Sequence, residues 1–316
     1  VTRRFDAVSF ACLIGAVLLW GTSFSAMKAA MAGFQPMAVV WIRMALGTLV
    51  FLPFWGRVRK PEYRRGDWKW LVLLGLFEPC LYFLLEAYAI RYTTSSQAGM
   101  ISGIVPLLVA GGAALFLKER LPVPALVGLL VSVGGVFALS LVGAPAAGAP
   151  NPALGNLLEL LAMVCATGYM LVLKRMSTRY DPWVLTGLQS AMGALFFLPG
   201  ALMSHPATWL AAPRSAWVAA IYLGCLVTIG GLGLYNVAIS RMHASRAAMA
   251  INLIPLVAVV TGWLVLGERL TPLQGLACAA ILGGVILGEI GSPEIALETA
   301  EPPQPVLLEQ PAGEDA

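Results

Sequence analysis

Ten runs of about twenty apolar residues, parted by short polar or Pro- and Gly-containing breaks, leave this chain very few ways to fold. A run of that length matches the hydrocarbon thickness of a bilayer when coiled as an α-helix. In lipid a helix is also the one open-ended element that satisfies its own backbone N–H and C=O groups. The runs lie at about 9–31, 36–55, 69–89, 95–117, 123–142, 153–174, 182–203, 216–239, 247–266 and 271–290. With 59% hydrophobic and 11% charged residues and a mean hydropathy of +0.82, the chain falls among multi-pass membrane proteins. The first run follows Arg3 and Arg4 and ends in an A-x-A-like "AMA", as a secretory signal does. It is too long for a signal's apolar region and carries Lys28, so it is expected to remain as span 1.

Positive residues are retained on the cytoplasmic side of a membrane. An N-terminus inside puts 15 Lys and Arg on inner segments, three outside (Arg91, Arg214, Arg269) and two within spans (Lys28, Arg43). The stretch "RVRKPEYRRGDWK" at 57–69 supplies six of the inner set. Both termini are therefore predicted to be cytoplasmic. The five cysteines all sit in apolar runs without C-x-x-C spacing, as small buried side chains do.

The chain repeats itself. At an offset of 149, "AIRYTTSSQAGMISGIVPLLVAGGAALFLKERL" from Ala89 aligns with "AISRMHASRAAMAINLIPLVAVVTGWLVLGERL" from Ala238, pairing Pro106 with Pro255 and Glu119 with Glu268. At an offset of 146, Lys28 pairs with Lys174, Pro36 with Pro182 and Phe51-Leu52-Pro53 with Phe197-Leu198-Pro199. An odd number of spans per repeat turns the second copy over, which is the inverted-repeat plan of many secondary transporters. The first five-helix repeat is placed at 1–142 and the second, inverted one at 153–290. The uncharged 143–152 forms a periplasmic linker, and 291–316 an acidic, Pro-rich, disordered cytoplasmic tail.

Three motifs carry a family resemblance. "WGTSFSAMKAA" (Trp20 to Ala30), "WIRMALGTLVFLP" (Trp41 to Pro53) and the pattern from Pro106 to Leu121, repeated from Pro255 to Leu270, resemble the EamA-type, ten-helix branch of the drug/metabolite transporter superfamily. Within it, length and spacing are similar to bacterial amino-acid exporters of the YddG kind. The resemblance implies an all-α integral membrane protein with ten transmembrane helices, two inverted five-helix repeats around a central cavity. Spans 1 to 4 and 6 to 9 would line it, with spans 5 and 10 peripheral. It also implies a bacterial inner-membrane secondary transporter that exports aromatic and other neutral amino acids by alternating access. The other reading is an exporter of small metabolites or drugs, such as nucleosides or cationic compounds.

Five ionisable groups fall inside spans, where each is costly and faces a partner or a wet cavity. Lys28, Arg43, Glu86 and Glu159 share the outer half of the membrane. They form either permanent ion pairs that fix helix packing or a gate that opens with the cavity. Glu78 sits deeper, without a basic residue at its depth. Glu78, Tyr82 and Glu86 stand four residues apart and so share a helix face, a cavity wall in character. For Glu78 three roles stay open: a protonated structural carboxyl, a ligand for a substrate ammonium, or a proton-coupling site. Pro79 beside it frees a backbone carbonyl.

Trp and Tyr offer apolar area with a polar tip and a face for cations. The candidate substrate cavity comprises Trp20, Trp41, Glu78, Tyr82, Tyr169, Tyr235, Asn252 and Trp263. Pro106 and Pro255, at equivalent mid-span positions, are candidate hinges, or the seat of static curvature. Spans 5 and 10 are rich in glycine, which suits close helix packing within one chain or in a weak homodimer. No H-E-x-x-H, G-x-S-x-G or Walker motif occurs, so neither an enzyme, a metal site, a cofactor nor direct use of ATP is expected. The expected partners are a small-molecule substrate and the lipid bilayer, with no nucleic acid.

Overall fold

The structure is a computed structural model that describes residues 7–57, 63–117, 122–142, 146, 148–176, 179–231, 233–234 and 252–290. The elements among these residues are all helical, joined by turns and short loops, and no strand occurs among them. Seven helices are long and apolar enough to cross a membrane, and shorter apolar helices accompany them.

Span 1 is α1 (Ala7–Ala30) and span 2 is α2 (Pro36–Phe51). Span 3 consists of α3 (Asp67–Gly75), a wide π-type stretch Leu76–Leu81 and α4 (Tyr82–Tyr92). Span 4 is α5 (Ser95–Ser102) followed, after a turn, by α6 (Val105–Leu117). Spans 5, 6 and 7 are α7 (Val123–Val142), α8 (Pro152–Met176) and α9 (Pro182–Met203). Span 8 begins as α10 (Arg214–Ile221) and widens into a π-type stretch, Tyr222–Gly231. The described part of span 9 is α11 (Ile254–Leu266), and span 10 is α12 (Pro272–Ile290). The bundle end that carries residues 63–69 and 179–181 is called the basic end below.

Several starts are written in the sequence. Pro36 and Pro182 occupy the first turns of α2 and α9, where a missing N–H costs nothing. Asp181 caps α9 by accepting the N–H of Trp183, 2.8 Å away. Pro106 and Pro255 were expected to kink continuous helices. Instead each lies in the first turn of a described helix: span 4 breaks at Gly103–Ile104 before α6, and Asn252–Leu253 form a turn directly before α11. The break in span 4 touches the start of α11: a Cβ placed on Gly103 would come 2.9 Å from the Pro255 ring.

Spans 5 and 10 pack on each other through glycine. A Cβ on Gly128 would fall 2.8 Å from the Gly288 nitrogen, and one on Gly135 3.0 Å from the Ala277 carbonyl oxygen. The Ser132 hydroxyl donates across this seam to the Ile281 carbonyl at 2.9 Å. The small residues thus serve contact within the chain.

Candidate functional site: broken helices and buried charges

The π-type stretches of spans 3 and 8 occupy matching places in the two repeats, and each is tied to its neighbour in a matching way. In span 3 the backbone departs from helical geometry at Glu78 (φ −145°, ψ 119°), which frees the Glu78 carbonyl. Gln189 of span 7 donates its side-chain N–H to that carbonyl at 2.7 Å. In span 8 the Thr228 hydroxyl donates to the Leu223 carbonyl at 2.9 Å and accepts the Nε–H of Arg43 of span 2 at 3.1 Å. Arg43 and Gln189 are paired by the offset of 146. One pseudo-twofold relation therefore links span 2 with the opened part of span 8, and span 7 with the opened part of span 3. Opened helices at a repeat interface are where secondary transporters of this plan hold substrates and coupling ions.

Around this centre the structure gathers Trp20, Trp41, Tyr82, Arg43 and Glu86. Trp20, Trp41 and Tyr82 are partly buried against one core cluster that includes Phe24, Phe34, Met44 and Phe83. Trp20 lies against the backbone of Gly231, where a Cβ would come 2.7 Å from its indole nitrogen. Tyr82 donates its O–H to Glu86 at 2.8 Å, the i to i+4 relation expected from spacing. The Arg43 guanidinium lies 3.9 Å from the Glu86 carboxylate and 4.2 Å over the Phe83 ring.

Other expected residues go elsewhere. Tyr169 joins a separate cluster with Leu74, Val172 and Tyr180. Trp263 is 57% exposed, outside the core clusters. Asn252 sits half-buried at the turn of span 9, one helical turn before Pro255. Tyr235 lies outside the described residues. Among the described residues, pairing of the four outer charges extends to Arg43 and Glu86 but not to Lys28 and Glu159. The Lys28 ammonium donates to the carbonyls of Ile90 and, at 2.6 Å, of Thr93, at the end of span 3. Glu159 is fully buried, and neither of its oxygens has a hydrogen-bond partner among the described residues.

The two ends of the bundle differ. At the basic end Asp67, at the head of span 3, receives both arms of the Arg179 guanidinium at 2.8 Å each, together with the Tyr180 hydroxyl at 3.0 Å and the Arg64 N–H at 2.9 Å. This clasp joins the two repeats. Burial and the hydrogen bond to Asp67 push the Tyr180 phenol up to about 12. At the opposite end a cavity of about 400 Å³ opens between Met31, Phe34, Arg91, Ser204 and Trp209. Beneath it Trp41 lies 5.8 Å from Trp209, ring to ring. Also at this end Glu268 accepts four hydrogen bonds of 2.6–3.0 Å from the N–H and hydroxyl groups of Ser95 and Ser96 at the start of α5. It reaches them because Gly267 turns the chain in the left-handed region (φ +68°).

Residues 8–141 and again 153–288 match the EamA-like transporter family. The chain belongs to this family. Among its relatives, an uncharacterized transporter, YcxC, of Bacillus subtilis (strain 168) is 30% identical over 86% of this chain and 88% of its own length. A probable terminal-alkyne amino-acid exporter of Streptantibioticus cattleyicolor is 25% identical over 87% of this chain and 91% of its own length. A solved crystal structure superposes with a TM-score of 0.57 at 21% identity, covering 90% of this chain and 98% of that one, a likeness of fold. This member of the EamA-like family is thus a multi-pass membrane transporter of two-repeat fold.

Proposed function

We propose that the chain exports amino acids, aromatic and other neutral ones, by alternating access across a bacterial inner membrane, with both termini cytoplasmic. The observation that carries this reading is the matched pair of opened helices in spans 3 and 8, with Glu78 in one and Trp20 lying on the other. A zwitterionic amphiphile needs an acceptor for its ammonium, donors for its carboxylate and an apolar wall. Glu78 supplies the first, since no described residue donates to its carboxyl while its backbone carbonyl is taken by Gln189. Arg43 and the amide of Gln189 lie on the spans that face it. Trp20, Trp41 and Tyr82 furnish the wall. The amino-acid exporter among the relatives agrees in substrate class.

The Asp67–Arg179 clasp and the open cavity at the other end describe a carrier shut at the basic end, with the Pro106 and Pro255 breaks as joints about which the repeats rock. The deciding experiment is flux of labelled phenylalanine, methionine and threonine in proteoliposomes, parent against Glu78→Gln. Saturable flux in the parent, weakened in the variant chiefly through a higher KM, supports an ammonium ligand. Folded protein that moves nucleosides or organic cations but none of the three amino acids moves the assignment to the metabolite and drug reading.

A further inference from the structure

Span 6 carries a carboxyl group that the substrate site leaves unused. Glu159 is 0% exposed, and among the described residues nothing donates to either oxygen. Its helix packs chiefly against α4, from which Glu86 and Tyr82 face it. Glu86 is already engaged by the Tyr82 hydroxyl and by Arg43. Asn156, nearly one turn from Glu159, is held by Thr93 and Gln97 at 2.9 and 3.2 Å. The Lys28 ammonium is bound to backbone carbonyls. Neither α6 nor α7 contains a charged residue. Of the three carboxyls Glu78, Glu86 and Glu159, Arg43 is paired with Glu86 alone among the described residues, and Glu159 is the fully buried one left without a donor.

A lone ionised carboxylate in such a place is prohibitively costly, so the group holds a cation in every state in which it is sealed. No three His, Cys, Asp or Glu side chains converge as metal ligands among the described residues. An enclosed carboxyl without further donors or acceptors has room for the smallest cation. Glu159 lies seven residues from the start of α8 and Glu86 six from the end of α4, a common depth of roughly 9–11 Å at the helical rise. That is two turns below the end at which the 400 Å³ cavity opens.

We propose that Glu159 is the proton-binding site of this transporter, and that its proton exchanges once per cycle so that substrate leaves against entering H⁺. The proton adds to a carboxylate oxygen when the site is open to the side of higher acidity. It departs as H⁺ on the other side, and no other bond changes. The fixed Arg43–Glu86 pair keeps the neighbouring charge constant while Glu159 alone changes state. The coupling rests on the family's transport role, and the flux test below also on the amino-acid reading.

Two measurements on the full-length protein test it. The first is infrared difference spectroscopy between acidic and alkaline pH, without substrate. The parent and Glu78→Gln show the carbonyl band of a buried neutral carboxyl that titrates, and Glu159→Gln lacks it. The second is phenylalanine accumulation in proteoliposomes under a pH step of one unit. The parent accumulates about tenfold at one proton per substrate, and Glu159→Gln, shown folded by its melting curve, not at all. A band that persists in Glu159→Gln, accumulation that survives in it, or accumulation driven by sodium instead of pH each overturns the proposal. If none of the amino acids moves in the parent, the substrate reading fails on its own, and the infrared band decides the site by itself.

Discussion

The seam between spans 5 and 10 allows two chemically identical substitutions to be predicted with opposite signs. Gly128 and Gly134 both lie inside α7, and changing either to alanine favours the helix by about 1 kcal/mol. At Gly134 a Cβ meets nothing within 4 Å, so the gain stands, and Gly134→Ala is expected to stabilise by about 0.5–1 kcal/mol. At Gly128 the same atom falls 2.8 Å from the Gly288 nitrogen and closer still to the Gly284 carbonyl. Both obstacles are backbone and cannot rotate aside, so overpacking of about 1–3 kcal/mol sets in, near the upper end of that range. Gly128→Ala is therefore expected to destabilise by about 1–2 kcal/mol, after allowing for the helix gain. The variants then differ by about 1.5–3 kcal/mol, roughly 10- to 150-fold in the unfolding equilibrium. Unfolding in mixed detergent micelles, followed by tryptophan fluorescence, reads this directly. Midpoints that shift in the same direction by similar amounts would refute the seam.

Further expectations follow from the charged and capped positions. Arg43→Met leaves Glu86 buried with the Tyr82 hydroxyl alone and is expected to cost about 3–5 kcal/mol. Adding Glu86→Gln should restore much of it, with a coupling of about 2–3 kcal/mol in a double-mutant cycle of micellar unfolding. Gly267→Ala forces a left-handed backbone on a residue with a Cβ and is expected to cost about 1–2 kcal/mol in the same assay. Asp67→Asn removes the charge that holds both arms of Arg179. A cysteine placed at the buried Leu74 should then react several-fold faster with a thiol reagent added at the basic end.

Hydropathy and the internal repeat make the spans and their two-repeat plan readable, because lipid admits so few structures. Spacing also conveys the Tyr82–Glu86 contact, which is local to one helix. Depth along a span is readable too, and it puts Lys28, Arg43, Glu86 and Glu159 at one level. Direction around the helix axis is not, for these spans are apolar on every side. Hence Arg43 turns to Glu86, Lys28 to backbone carbonyls and Glu159 to no partner among the described residues, and Trp263 is more than half exposed. Pro79 marks the opening in span 3, whereas the one in span 8 begins without a proline and had as its signal Gly224, Gly230 and Gly231. Gln189 was within reach as the repeat partner of Arg43. The Asp67–Arg179–Tyr180 clasp joins the head of α3 to the loop before α9, 112 residues apart, and has no periodic trace in the sequence.

An inverted repeat of identical halves would have two end states of equal energy, since turning the molecule over exchanges them. Arg43 and Gln189 occupy equivalent positions and each ties the opened helix beside it, yet Arg43 does so with a charged side chain on a hydroxyl and Gln189 with a neutral amide on a backbone carbonyl. The arginine's charge is answered by Glu86, 3.9 Å away, so the inequality between the halves lies in how each opened helix is held and not in a lone charge. Turning the molecule over therefore does not reproduce it: an ionic tie holds one opened helix and an amide tie the other, and two arrangements exchanged by that turn would differ in energy even at zero membrane voltage.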